Sequence, residues 1–233
     1  IVGTRIFDAH SGEFRTVLGP VFANIVLADE INRAPAKVQS ALLEAMQERQ
    51  VTIGLQSHPL PDPFIVTATM NPLDGDGTYA LSGAQTDRFL MHVLVGYPSA
   101  EEEAQIVARF GGEPPVLPSA VVSVDDVIGW RHAARTIFME PRLIAYAVAL
   151  VAATRRPHEH IDRGASPRAT LGLVALARAR ALLQGRTFVY PDDLRAVAPA
   201  VLRHRIALRY RALAENVDSE QLLTALIASV PTP

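Results

Sequence analysis

The sequence contains no cysteine, which excludes disulfides and thiolate metal sites and leaves redox logic silent about compartment. It also lacks a long hydrophobic run. The longest uncharged apolar stretch, residues 143–153, falls well short of the ~20 residues a membrane span needs and reads as a buried helix. No signal-peptide pattern opens the chain, and no internal repeat or low-complexity segment appears, so a cytoplasmic location is expected. Lysine is almost absent too. Lys37 is the only one, and no Gly-Lys-Ser/Thr loop able to cradle phosphates with backbone amides occurs in the 233 residues.

The 49% hydrophobic and 20% charged content is that of a folded domain and rules out wholesale disorder. The net charge of -2 conceals an asymmetry. Residues 1–129 carry seven basic and sixteen acidic side chains, whereas residues 130–233 carry fifteen basic and eight acidic ones. Two modules of opposite charge that face one another, or face the next copy in an assembly, fit this split; two separately solvated surfaces fit it as well.

The first third reads as short strands and turns. Arg5-Ile6-Phe7 and Glu13-Phe14-Arg15 flank the turn-like Asp8-Ala9-His10-Ser11-Gly12, and a second hairpin joins residues 51–53 to 58–60 through Gly54. The apolar runs Ile25-Val26-Leu27-Ala28 and Phe64-Ile65-Val66-Thr67-Ala68-Thr69 predict strands buried on both faces of a parallel sheet, with a third strand over 90–95. Between them, Pro35 precedes Val38, Leu42, Ala45 and Met46 at helical spacing. From Ser99 the periodicity turns helical. The break at Gly111-Gly112-Glu113-Pro114-Pro115 precedes helices near 125–136, 140–155, 167–184, 191–205 and 219–229. The expected layout is an α/β core over 1–98 and an all-α domain over 99–233.

Several residues could carry chemistry. Asp29 and Glu30 end a strand where open parallel sheets bind ligands, although solvated acids at a strand end look the same. One such acid can hold Mg²⁺ through water while the other deprotonates an attacking water. Asn71, before Pro72, could place a water or a phosphate oxygen, or simply satisfy turn backbone. Arg88 is a fixed cation whose fork suits phosphate, with a salt bridge to Asp87 as the plainer fate. Ser166-Pro167 is a good helix start, and it puts Arg168 beside free amides that favour an anion. His158, His160 and Asp162 alternate, but exposed loop histidines without a third strong ligand read as solvated. Arg203, His204, Arg205, Arg209 and Arg211 form a basic cluster nearly free of aromatics, so a contact with the acidic first half is expected there rather than nucleic acid.

Order and spacing are more specific than any one of these. Leu27-Ala28-Asp29-Glu30-Ile31-Asn32-Arg33-Ala34-Pro35 is followed by Gln39-Ser40-Ala41-Leu42-Leu43-Glu44-Ala45-Met46-Gln47-Glu48-Arg49 and Ala68-Thr69-Met70-Asn71-Pro72. Gly77-Thr78-Tyr79, Gln85-Thr86-Asp87-Arg88-Phe89 and Gly164-Ala165-Ser166-Pro167-Arg168-Ala169 complete a pattern that resembles the MoxR family of AAA+ ATPases over almost the whole chain.

That resemblance implies a P-loop NTPase core with a parallel sheet, incomplete here, followed by a helical lid. It implies ATP and Mg²⁺ as cofactors, with Asp29 (the metal-side acid) and Glu30 as the Walker B pair. Asn71 then corresponds to sensor 1, Arg88 to an arginine finger reaching a neighbour's nucleotide, and Arg168 to sensor 2. The hairpins at 5–15 and 51–60 correspond to inserts associated with a ring's pore and substrate surface. The expected protein is an ATP-hydrolysing, chaperone-like remodelling or assembly factor in a homo-oligomeric, hexameric ring. It would act on a substrate protein or complex, beside a von Willebrand A-domain partner. Because no Gly-Lys-Ser/Thr loop is present and the first residue is Ile1, a preceding strand–loop–helix segment is expected, without which the 233 residues should not hydrolyse ATP. An inactive ring subunit or scaffold fragment and a nucleic-acid motor remain the alternatives.

Overall fold

The structure, a computed structural model, describes residues 1–10, 12–71, 79–112 and 118–233. Ser11, the Pro72 and Gly77-Thr78 motif positions and the 113–115 part of the connector lie outside the described residues.

The chain opens with a hairpin of β1 (Gly3–Asp8) and β2 (Glu13–Leu18), paired antiparallel from Gly3 opposite Leu18 to Asp8 opposite Glu13. β3 (Ile25–Ala28) leads through a 3₁₀ turn (Ile31–Arg33) into α1 (Ala36–Glu48), where the apolar spacing after Pro35 buries Leu42, Leu43 and Ala45. Next comes the second hairpin, β4 (Gln50–Ile53) and β5 (Gln56–Pro59), whose turn needs the positive φ that Gly54 adopts at 65°. β6 (Ile65–Ala68) then returns beside β3 in parallel, with Ile25 opposite Ile65 and Ala28 opposite Ala68. A one-turn helix, α2 (Gly83–Thr86), capped by Ser82 and Gln85, closes this part of the chain.

Helices follow. α3 (Ala100–Phe110) starts at the Ser99 capping box with three glutamates in its first turn, where the helix dipole favours acids. α4 (Val124–Thr136), α5 (Pro141–Ala153), a short strand β7 (Ile161–Arg163), α6 (Pro167–Leu183) and α7 (Pro191–Leu202) come next. The chain ends with β8 (Ala207–Leu208), paired with β7, then α8 (Tyr210–Ala214) and α9 (Ser219–Ala228). The stripe Leu143, Ala147, Leu150 and Val151 of α5 is buried against α6, α7 and α9, with Leu173, Leu194 and Leu202 at the centre of one continuous core. Gly164 is required at the entry to α6, because a Cβ there would stand 2.3 Å from the Thr154 carbonyl oxygen.

Two expectations about the sheet are corrected. Burial of β3 on both faces does not hold: Val26 is enclosed, but Ile25 and Leu27 are 70% and 66% exposed, and β6 alternates in the same way. A layer of side chains, with Val21, Val26, Leu42 and Phe64 among them, covers one face of the pair and leaves the other open. Residues 90–95 form no strand. A strand exists only as a ladder with a neighbour, and here the His92 N–H donates to the Ala200 carbonyl (2.8 Å) while its own carbonyl accepts from Arg203. The short elements α2, α8, β7 and β8 carried no periodicity long enough to be read.

Candidate active site

Parallel pairing puts Asp29 and Thr69 side by side, one residue beyond the carboxyl ends of β3 and β6. The Thr69 hydroxyl donates to Asp29 Oδ1 and accepts from the Glu30 N–H at 2.8 Å. The Thr69 carbonyl takes the Ile31 N–H at 3.0 Å, and its N–H donates to the Ala28 carbonyl at 3.1 Å. One threonine thus fixes the backbone on both sides of the acid pair. Glu30 stands at φ 48° and ψ 51°, a left-handed conformation that costs a non-glycine residue roughly 1–2 kcal/mol and persists only where surrounding bonds over-determine it. Those bonds are visible. The buried Gln39 amide donates to the carbonyls of Ile31 (3.1 Å) and Tyr79 (2.9 Å), and the Glu30 carboxylate pairs with Arg33 at 3.3 Å.

Asn71 follows two residues after Thr69 at the same sheet edge and is exposed. The acid pair and Asn71 therefore gather where a parallel sheet presents its ligand-binding edge. The two arginines are held by other groups. Arg88 makes no salt bridge to Asp87; its Nε donates to Gln47 Oε1 of α1 (3.1 Å) and its guanidinium to the Ala84 carbonyl (2.8 Å). Arg168 lies in the first turn of α6, its N–H donating to the capping Ser166 hydroxyl (3.2 Å), and its guanidinium reaches Asp87 Oδ2 at 3.3 Å.

Asp87 is the centre of the seam between the two halves. Its carboxylate accepts from the Ser166 hydroxyl (2.9 Å to each oxygen), Arg205 Nε (2.9 Å) and Arg168. Burial alone would raise the Asp87 pKa, but these donors, led by Ser166 and Arg205, hold it below the usual carboxylate range. Arg205, 6% exposed, also binds the backbone carbonyls of Asp87 and Leu90 (3.1 Å each). Beside it, His204 Nε2 lies 3.1 Å from the Phe89 carbonyl, and Arg203 pairs with Glu220 (2.9 Å). The cluster 203–205 thus meets the first half of the chain, as its charge implies. Arg209 and Arg211 instead bond inside the helical part, to Ile161 and Glu215, and His160 pairs with Glu215 at 3.0 Å.

Sequence reasoning missed Thr69 and Asp87. Thr69 could have been found as the hydroxyl closing a strand next to an acid-bearing one. Asp87 entered only as a possible partner for Arg88, because nothing local shows the lid groups it binds.

Comparison with known proteins agrees with this architecture. The family model for the ATPase family associated with various cellular activities (AAA) matches residues 1–91, and the AAA lid domain model matches residues 153–226. The chain is 48% identical to the chaperone MoxR1 of Mycobacterium tuberculosis, over all of this chain and 64% of that protein. Its identity to protein YeaC of Bacillus subtilis is 38%, over all of this chain and 73% of that protein, and to protein MoxR of Methylorubrum extorquens 32%, over 95% and 72%. A crystal structure of a protein from Cytophaga hutchinsonii superposes with a TM-score of 0.92 at 41% identity, over all of this chain and 73% of that one. The fold is that of an AAA+ ATPase, a parallel-sheet core followed by a helical lid. Within that class, the chain belongs to the MoxR family. It spans just under two thirds of the length of its mycobacterial relative.

Proposed function

We propose that the protein containing this chain hydrolyses ATP with Mg²⁺ to remodel or assemble partner proteins, working as a homo-oligomeric ring of the MoxR type in the cytoplasm. The observation that carries this reading is the acid pair locked by Thr69 at the carboxyl edge of β3 and β6. Two adjacent carboxylates on a fixed backbone suit a hydrated divalent cation and a water to be deprotonated. Bound Mg²⁺ would neutralise phosphate charge. Asp29 would hold that cation through water, Glu30 would take the proton of the attacking water, and Asn71 would hold that water in place. Arg88 serves the neighbouring subunit's nucleotide and Arg168 the terminal phosphate.

The phosphate cradle is not among these 233 residues, since no Gly-Lys-Ser/Thr loop occurs and Lys37 belongs to α1. A segment outside them supplies it. The open face of Ile25 and Leu27 and the greater length of the relatives support that assignment. The β1–β2 hairpin, with exposed Phe7 and Phe14 rings 5.3 Å apart, offers a surface for a substrate protein, and a von Willebrand A-domain protein is the proposed partner. With Arg203 held on the His92 carbonyl and on Glu220, and Arg205 on Asp87, a nucleic-acid partner is disfavoured. Among the described residues no helix is long and apolar enough to cross a membrane.

The missing cradle also favours one rival, an inactive scaffold subunit. Turnover by the full-length gene product beside Glu30→Gln separates the two. The expected result is a rate at least ~100-fold lower with ATP binding retained, the loss typical of a missing general base. A full-length protein that binds no nucleotide would establish the scaffold instead.

A further inference from the structure

We propose that Asp87 is a positioning residue that parks Arg168 on the core–lid seam, so that a nucleoside triphosphate must compete with a carboxylate for this arginine. The idea rests on the reading above, in which Arg168 serves the terminal phosphate. Its support is the inequality among the three side chains that bind Asp87.

Ser166 is fixed as the cap of α6, and its hydroxyl lies 2.9 Å from both carboxylate oxygens. Arg205 is fixed more firmly still: its side chain is 2% exposed and anchored on several backbone carbonyls, those of Phe89 and Val201 included. Arg168 differs. It touches Asp87 through one nitrogen at 3.3 Å and remains 50% exposed. Exposed single contacts of this kind contribute little and exchange readily.

When Arg168 leaves, Asp87 keeps Ser166 and Arg205, so the carboxylate is not stranded in the seam. Asp87 engages one nitrogen of Arg168 and leaves the other N–H groups of the guanidinium free, so the competition is for the place of the cation and not for a single N–H. While Arg168 stays on the seam its charge is shared with a carboxylate, and a terminal phosphate has to draw it away. A diphosphate lacks the group that would do so. Arg88, the adjacent residue, is held on Gln47 of α1, so one dipeptide joins the lid to the residue proposed to face a neighbouring subunit.

The test is a binding cycle in the full-length protein, with ATPγS and ADP as probes. Asp87→Asn keeps an oxygen acceptor for Arg205 and Ser166 but removes the charge that holds Arg168. ATPγS affinity is expected to rise about two- to fivefold, the reach of an exposed ion pair, while ADP affinity stays unchanged. Combining it with Arg168→Gln is expected to erase the gain, and Asp87→Glu to keep the wild-type ratio of the two affinities. Equal shifts for both nucleotides, or a gain that survives Arg168→Gln, would overturn the parking role. Asp87→Ser, which keeps a hydroxyl acceptor, repeats the test should Asp87→Asn not fold. Loss of the fold in both assigns Asp87 to the seam alone and overturns the proposal. A wild type that binds neither probe overturns the functional reading itself, and the competition with it.

Discussion

Leu173, Leu194 and Leu202 have no exposed surface in the helical lid, whereas in the β3–β6 pair Ile25 and Leu27 turn most of theirs to solvent. Both parts use ordinary strand and helix patterns, so the difference lies in which elements are there to cover them. α5, α6, α7 and α9 surround one another and close a core among themselves. The β3–β6 pair has a covered side, built from residues such as Val21, Leu42 and Phe64, and an open side. The apolar 90–95 segment, with Val93, Leu94 and Val95 exposed, is open in the same way. The lid reads as a self-contained unit and the sheet as one side of an interface.

The largest effect that sharpens this contrast is expected inside the lid. Leu173→Ala removes a fully buried side chain from the centre of its core, and such truncations cost about 2–5 kcal/mol. Urea unfolding followed by circular dichroism measures it. A loss below about 1 kcal/mol would mean that the lid core collapses around the gap and is looser than its burial indicates.

The next effect belongs to the seam and is set by pH. Burial, helped by the charge of Arg205, pushes His204 down to about 4. His92, its ring 6.1 Å away, is lowered as well, first by burial and then by Arg203. Both histidines fold as neutral rings, so between pH ~6.5 and 4 the unfolded chain binds more protons. Stability is therefore expected to fall as pH drops through that window. Discounted for partial exposure, the His204 share is on the order of 2 kcal/mol. Asp87 extends the trend to lower pH, since its depressed carboxyl loses its contribution only when it is finally protonated. His204→Gln should flatten the slope between pH 7 and 4.5 and leave the smaller share of His92. An unchanged slope would remove His204 from the account.

How much of this was legible depended on the distance over which each feature is encoded. The β4–β5 hairpin could be read from two short runs around Gly54, and α5 from the spacing of Leu143, Ala147, Leu150 and Val151. Ser166-Pro167 announced the start of α6 because capping is a local interaction. Asp29, Glu30, Asn71, Arg88 and Arg168 emerged as candidates because the order of their motifs is specific. Other features were out of reach. Thr69 acts on residues forty positions away, through a register that periodicity does not give. Asp87 meets groups 79 to 118 positions distant, and its neighbours in sequence say nothing of them. Burial of β3 on both faces was inferred from its composition, but composition shows what a strand can bury and not what is present to bury it.

The smallest expected effect tests the open face directly. Leu27→Ser changes a side chain that is 66% exposed in residues 1–233, so its cost in that chain should stay within about 0.5 kcal/mol. In the full-length protein, a segment packed over β3 would bury Leu27, and the same change should cost about 1.5–3 kcal/mol. Unfolding both forms with and without the substitution gives the difference between those costs. A large cost in residues 1–233 alone would break the contrast, because the face would then be enclosed within this chain. A small cost in both would leave the face bare and remove support for a covering segment. Only a small cost in one and a large cost in the other fits a sheet whose exposed side is an interface, which is the arrangement the proposed nucleotide site at the edge of β3 and β6 requires.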